Sequence, residues 1–83
     1  MTDAKLNKRI GANIKRIRTE RRMTQECVGE YLGVSYQQIQ KYERGATRVS
    51  LITALRLCQV LDCSITDLCE GMYFQSTASS SAS

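Results

Sequence analysis

Two short segments, TQECVGEYLG and SYQQIQKYERG, stand almost back to back around Gly33, Val34 and Ser35. Thr24 offers a hydroxyl that can accept from the first turn of a helix, and Ser35 offers the same for a second. Val28 and Leu32 are four residues apart, one inward stripe on a helix from Gln25 to about Leu32. Gly33 can take the left-handed conformation that closes it. The second segment reads as a helix from Tyr36 to Arg44, stopped by Gly45, with Ile39 and Tyr42 inward at i, i+3. Two helices joined by a turn of about three residues is a narrow geometric choice. Gly29 supports it: a glycine inside a helix costs roughly 1 kcal/mol against alanine, and close approach of the next helix gives a reason for it.

The rest of the chain is read around that pair. Ile10, Ile14 and Ile17 form one stripe on a helix from about Leu6 to Arg22, leaving residues 1–5 as a flexible N-terminus. Residues 46–50 form a loop. Ser50 can cap a fourth helix whose inward positions are read as Leu51, Leu55, Cys58 and Leu61. Ile65, Leu68 and Cys69 then line a short fifth helix ending at Gly71. Residues 72–83 form a tail, disordered from about residue 75, because STASSSAS has nothing to bury. Proline is absent and few runs alternate as strands would. One compact, all-α domain of five helices over residues 6–71 is the expectation, with a helix-turn-helix in the second and third.

The formal net charge is +4, unevenly spread. Residues 1–22 hold eight Lys/Arg against Asp3 and Glu20, whereas from Val49 onward Arg56 stands against Asp62, Asp67 and Glu70. A basic N-terminal part suits a polyanionic partner. Cys27, Cys58, Cys63 and Cys69 form no CxxC pair, and histidine is absent, so no metal site or cofactor is expected. Reduced thiols, the absence of a secretory signal and the lack of any membrane-length apolar run lead to the expectation of a soluble, cytoplasmic protein. No paired carboxylates or phosphate-cradling glycine loop accompany them, so catalysis is not expected.

The outward face of the helix from Tyr36 holds Tyr36, Gln37, Gln40, Lys41 and Arg44, with Gln38 to one side and Glu43 as its one acid. Solvated helices favour Glu–Lys pairs. A glutamine-rich face instead suits duplex DNA, where glutamine can pair with adenine N6/N7 and lysine can donate to guanine O6/N7.

The run from Ile10 to Leu68 resembles the lambda-repressor-like (Cro/repressor, Xre-type) helix-turn-helix family. The motif TQExxGExLGVSxxQIxKYExG carries the likeness through Thr24, Gln25, Glu26, Gly29, Leu32, Gly33, Val34, Ser35, Ile39, Tyr42, Glu43 and Gly45. The resemblance implies a transcriptional regulator, more often a repressor than an activator, that binds double-stranded DNA with its third helix in the major groove. By the same resemblance Tyr36 and Gln37 take the principal base-reading places, with Gln40 and Lys41 one turn further along. Gln25, Ser35, Gln38, Arg44, Thr47 and Arg48 then contact the DNA backbone, and Arg18 and Glu43 form a structural salt bridge between the first and third helices. Tyr36 is bulkier than the short polar residues common at its place, Gly29 replaces a commoner alanine, and Cys27 stands where a polar residue is usual.

A homodimer on a palindromic operator is expected, because one motif reading about four base pairs discriminates too little. Leu57, Val60, Ile65, Leu68, Met72, Tyr73 and Phe74 exceed what a small core needs, and some of them are expected to meet a partner's C-terminal helices. No small-molecule effector is evident. Other readings of the same fold are a protein-interaction module, an antitoxin, or a controller of a restriction–modification system.

Overall fold

The computed structural model describes residues 2–72. Its helices are α1 (Asp3–Glu20), α2 (Gln25–Leu32), α3 (Tyr36–Glu43), α4 (Leu51–Leu61) and α5 (Ile65–Leu68), with no strand among the described residues. Each helix starts in the same way. Thr2, Thr24, Ser35, Ser50 and Ser64 have extended backbone, and each hydroxyl accepts from the backbone N–H three residues on. Thr2 thereby starts α1 at Asp3, earlier than the Leu6 expected from the isoleucine stripe. At Ser64 the cap is reciprocal: Asp67 accepts the Ser64 backbone N–H at 2.9 Å. That bond holds the Asp67 carboxyl below the usual carboxylate range.

Gly33 ends α2 at φ 75°, and Gly45 follows α3 at φ 71°, both in the left-handed region. α5 is shorter than expected, closing at Leu68, and Cys69–Gly71 form a turn. Tyr73 and Phe74, and the expectation of a disordered tail, lie outside the described residues.

The core comprises Ile14 and Ile17 from α1, Val28 and Leu32 from α2, and Ile39 from α3. Ala54, Leu57 and Leu61 from α4 and Leu68 from α5 complete it. α1 packs on α3, α4 and α5; α2 bridges α3 and α4. The α4 stripe departs from the sequence expectation. Leu61 is buried and Cys58 packs against the core as read, but Leu51 and Leu55 are 69 and 49 % exposed, and the buried positions beside Leu61 are Ala54 and Leu57. Leu57 and Leu68, read as surplus for a partner, are fully inside.

Two glycines answer to steric need. A Cβ on Gly11 would run into the backbone carbonyls of Tyr42 and Glu43, so α1 and α3 can approach only because position 11 has no side chain. A Cβ on Gly29 would stand 2.7 Å from the Val34 carbonyl oxygen. The close approach there is by the turn leading into α3. Buried Asn13 closes the other side of α1, donating from Nδ2 to the Leu68 and Glu70 carbonyls at 2.8 and 2.9 Å.

Candidate nucleic-acid interface

Because Ile39 and Glu43 of α3 are buried, and Tyr42 is half-buried against the core, the opposite side of the helix faces outward. Gln37, Lys41 and the C-capping Arg44 are exposed there, one turn apart in succession. Tyr36 is 40 % exposed at the helix start. Gln40 and Gln38 are half-buried on either flank. Glu43, counted from sequence as the acid of the outward face, is only 8 % exposed, so that face carries no exposed carboxylate.

The reason lies in α1. Arg18 Nε donates to Glu43 Oε2 at 2.6 Å and its Nη2 to Oε1 at 3.1 Å, a two-pronged pair. Arg18 Nη1 also donates to the Met23 carbonyl at 2.8 Å, and Gln25 Nε2 donates to Glu43 Oε1 at 3.0 Å. One carboxylate thus ties α1, the α1–α2 turn and the start of α2 to the last turn of α3. Both side chains are largely out of solvent, 13 % exposed for Arg18 and 3 % for Glu43. Removing either partner strands a buried charge, at about 3–5 kcal/mol.

The remaining sequence-selected residues surround α3. Gln25 is half-buried with its amide held by Glu43, and its backbone N–H belongs to the first turn of α2, which a helix leaves without an internal partner. Ser35 spends its acceptor on the Gln38 N–H at 3.2 Å, so it shapes the start of α3 whatever else it contacts. Thr47 is half-buried in the following loop. Arg48 is exposed, 3.3 Å from Asp3 at the start of α1.

Sequence reasoning missed Lys15. It lines a cleft of about 280 Å³ together with Gln25, Gln40, Glu43 and Arg44. The signal was present: Lys8 and Lys15 are seven residues apart, two turns along one side of α1. The Lys8 backbone lies against Gly45, next in sequence to Arg44, but Lys8 does not line the cleft.

All four cysteines are free and half-buried. Burial, with Cys58 alongside, pushes the Cys63 thiol up to about 11. This is the behaviour of a thiol packed at the corner of α4, where the Cys63 N–H donates to the Cys58 carbonyl at 3.0 Å. Among the described residues no three Cys, Asp or Glu side chains converge as metal ligands do. None of the described helices is long and apolar enough to cross a membrane.

Five capped helices with a tight turn between the second and third define the architecture of a helix-turn-helix regulator. The helix-turn-helix family model matches residues 14–68, and the chain belongs to this family. An HTH-type transcriptional regulator of Sinorhizobium medicae is 43% identical over 53 residues, 64% of this chain and 38% of the relative, so the chain spans well under half of that protein. A second, y4dJ of Sinorhizobium fredii, is 36% identical over 63 residues, 76% of this chain and 82% of the relative. Among solved structures, the clp gene regulator ClgR from Corynebacterium glutamicum superposes with a TM-score of 0.73 at 27% identity, covering 76% of this chain and 82% of that one. The restriction-modification controller C.AhdI from Aeromonas hydrophila does so with a TM-score of 0.69 at 28% identity, covering 74% and 92%.

Proposed function

We propose that this chain is a sequence-specific DNA-binding transcriptional regulator that sets α3 into the major groove of a palindromic operator as a homodimer. The observation that carries the reading is the outward face of α3: exposed Tyr36, Gln37, Lys41 and Arg44, free of exposed acid, on a helix clamped to α1 by Arg18 and Glu43. Tyr36, Gln37 and Lys41 read base edges, with Gln40 at the flank. Gln25, Ser35, Gln38, Arg44, Thr47 and Arg48 hold the sugar–phosphate backbone and set the register. A small domain bound across a promoter blocks polymerase by occupancy, which makes repression the simplest mode of action. The cytoplasm, where bacterial DNA is, follows as its location.

The dimer is supported by apolar side chains left outside. Leu51, Ile52 and Leu55 of α4 and Ile65 of α5 are 69, 73, 49 and 40 % exposed. They replace the buried Leu57 and Leu68 as the candidates for contact with a second copy. A two-fold arrangement then places half-sites about 34–36 Å apart. A controller role in a restriction–modification system is a second reading, favoured by the likeness to C.AhdI across most of that chain.

Selection from a random duplex library at two salt concentrations tests the main reading. A palindromic consensus, abolished when Gln37 and Lys41 are replaced by alanine, is the expected result. Salt-sensitive binding with no consensus removes the claim of sequence reading.

A further inference from the structure

The cleft between α1, the start of α2 and the last turn of α3 holds an excess of positive charge that the fold does not use. Its one carboxylate, Glu43, has both oxygens engaged, by Arg18 and by the Gln25 amide. Lys15 and Arg44 line the same cleft and have no ion-pair partner among the described residues. Lys15 and Arg44 therefore line a cleft whose single carboxylate is already neutralised by Arg18. An ammonium and a guanidinium facing one concavity repel each other, and an anion between them relieves that repulsion. Gln25 and Gln40 supply amide dipoles on the same walls.

We infer that this cleft seats a phosphate of the DNA backbone, bridged by Lys15 from α1 and Arg44 from α3. The cleft's 280 Å³ admits a phosphodiester group and is too polar in its lining for an apolar ligand. Its place beside Gln40 and Arg44 puts it at the rim of the α3 face, where the strand bordering an occupied groove passes. The inference rests on the DNA-binding reading and extends its footprint onto α1, with Lys15 as a positioning residue that contacts no base. An anion gripped from two helices sets how α3 lies in the groove, whereas one gripped by α3 alone would not.

The test is a salt series of binding titrations on a selected duplex and an unrelated one, with the wild-type chain, Lys15→Ala, Lys15→Arg and Arg44→Ala. Removing one phosphate interaction lowers the slope of log affinity against log salt by about 0.9. Lys15→Ala is expected to lower the slope on both duplexes by up to one such decrement, with the base preference unchanged. The Lys15→Ala, Arg44→Ala pair is expected to lower it by at least one, and Lys15→Arg to keep the wild-type slope. Lys15 is exposed on α1, so the thermal midpoint serves as the folding control. Neutral methylphosphonates placed one at a time along the duplex supply the second measurement. One position should weaken the wild-type chain, weaken Lys15→Ala less because Arg44 still reaches that phosphate, and leave a Lys15→Ala, Arg44→Ala double variant indifferent. An unchanged slope for Lys15→Ala, with no such position, overturns the cleft and leaves the DNA-binding reading standing. Sequence-blind binding with the slope decrement intact keeps the cleft and sinks sequence reading; no duplex binding at any salt sinks both.

Discussion

α3 and α4 are both amphipathic by geometry but not by composition. Each lays one side on the same core, α3 through Ile39 and α4 through Ala54, Leu57 and Leu61. The side α3 turns outward is polar and free of exposed acid, while the side α4 turns outward carries Leu51, Ile52 and Leu55. An ordinary solvated helix has neither composition. A glutamine- and cation-bearing surface gains from a polyanion, and an apolar one gains by leaving water, at about 25 cal/mol per Å² of apolar area covered. The two helices thus suit two partners of different chemistry, which the proposed function assigns as DNA for α3 and a second copy for α4.

The largest expected effect falls on what holds α3 in place. Glu43→Ala should lower the unfolding free energy by about 3–5 kcal/mol in urea denaturation, because Arg18 is left buried without its partner. For a domain of this size each kcal/mol is worth about 4–8 °C in the thermal midpoint. A loss under about 1 kcal/mol would mean that α3 is held by apolar packing alone, and the clamp would drop out of the account.

The two sides of α4 give the next contrast. Leu57→Ala should cost about 2–5 kcal/mol through the cavity left behind. Leu55→Ala, two residues away, should stay under about 1 kcal/mol at protein concentrations too low for association. The reverse order would return Leu51 and Leu55 to the inward stripe. A double variant, Leu51→Lys with Ile52→Lys, should keep its thermal midpoint and sediment as a monomer where the wild-type chain sediments as a dimer. A wild-type chain that stays monomeric up to high concentration would leave the α4 surface without its assigned partner.

On α3 the expected loss is in binding and not in folding. Gln37→Ala should cost about 1–3 kcal/mol on the selected duplex and little on an unrelated one, since a base contact distinguishes sequences. Equal losses on both would move Gln37 from the bases to the backbone.

These contrasts also mark what a sequence can say. The starts of α2, α3 and α4 were legible because a cap is a local event: Thr24, Ser35 and Ser50 hydroxyls reach an N–H three residues away, and Gly33 and Gly45 take left-handed backbone at little cost, whereas the Thr2 cap of α1 was passed over for the isoleucine stripe that begins further on. The five-helix architecture followed from those signals. The inward side of α4 was not legible, because Leu51, Ile52, Ala54, Leu55, Leu57, Cys58, Val60 and Leu61 leave few polar residues to mark the outside. Its orientation is chosen by the fit against α2 and α5, a contest among apolar faces that periodicity cannot judge. Gly11 and Asn13 were silent for a related reason. One is required by carbonyls more than thirty residues away in α3, the other by carbonyls at the end of α5. At the candidate interface, the outward residues of α3 could be read from one helix alone. Lys15 could be set beside Lys8 along one side of α1, but not at the cleft, which exists only where three helices meet.

The smallest effect concerns Arg48, which stands between the two regions in the loop from α3 to α4. Its contact with Asp3, 3.3 Å long with both side chains more than 70% exposed, is a surface pair of about 0.5 kcal/mol or less. Arg48→Ala should therefore leave stability unchanged while reducing the salt slope of duplex binding by about 0.9. If Arg48 does reach a phosphate, Asp3 competes for it in the free protein, and Asp3→Asn should raise duplex affinity slightly at low salt. A negative charge near DNA is also unfavourable in itself, so the single variant does not separate competition from repulsion. Asp3→Asn in the Arg48→Ala background does. A gain that vanishes there assigns the effect to competition for Arg48, and a gain that persists assigns it to the field of Asp3.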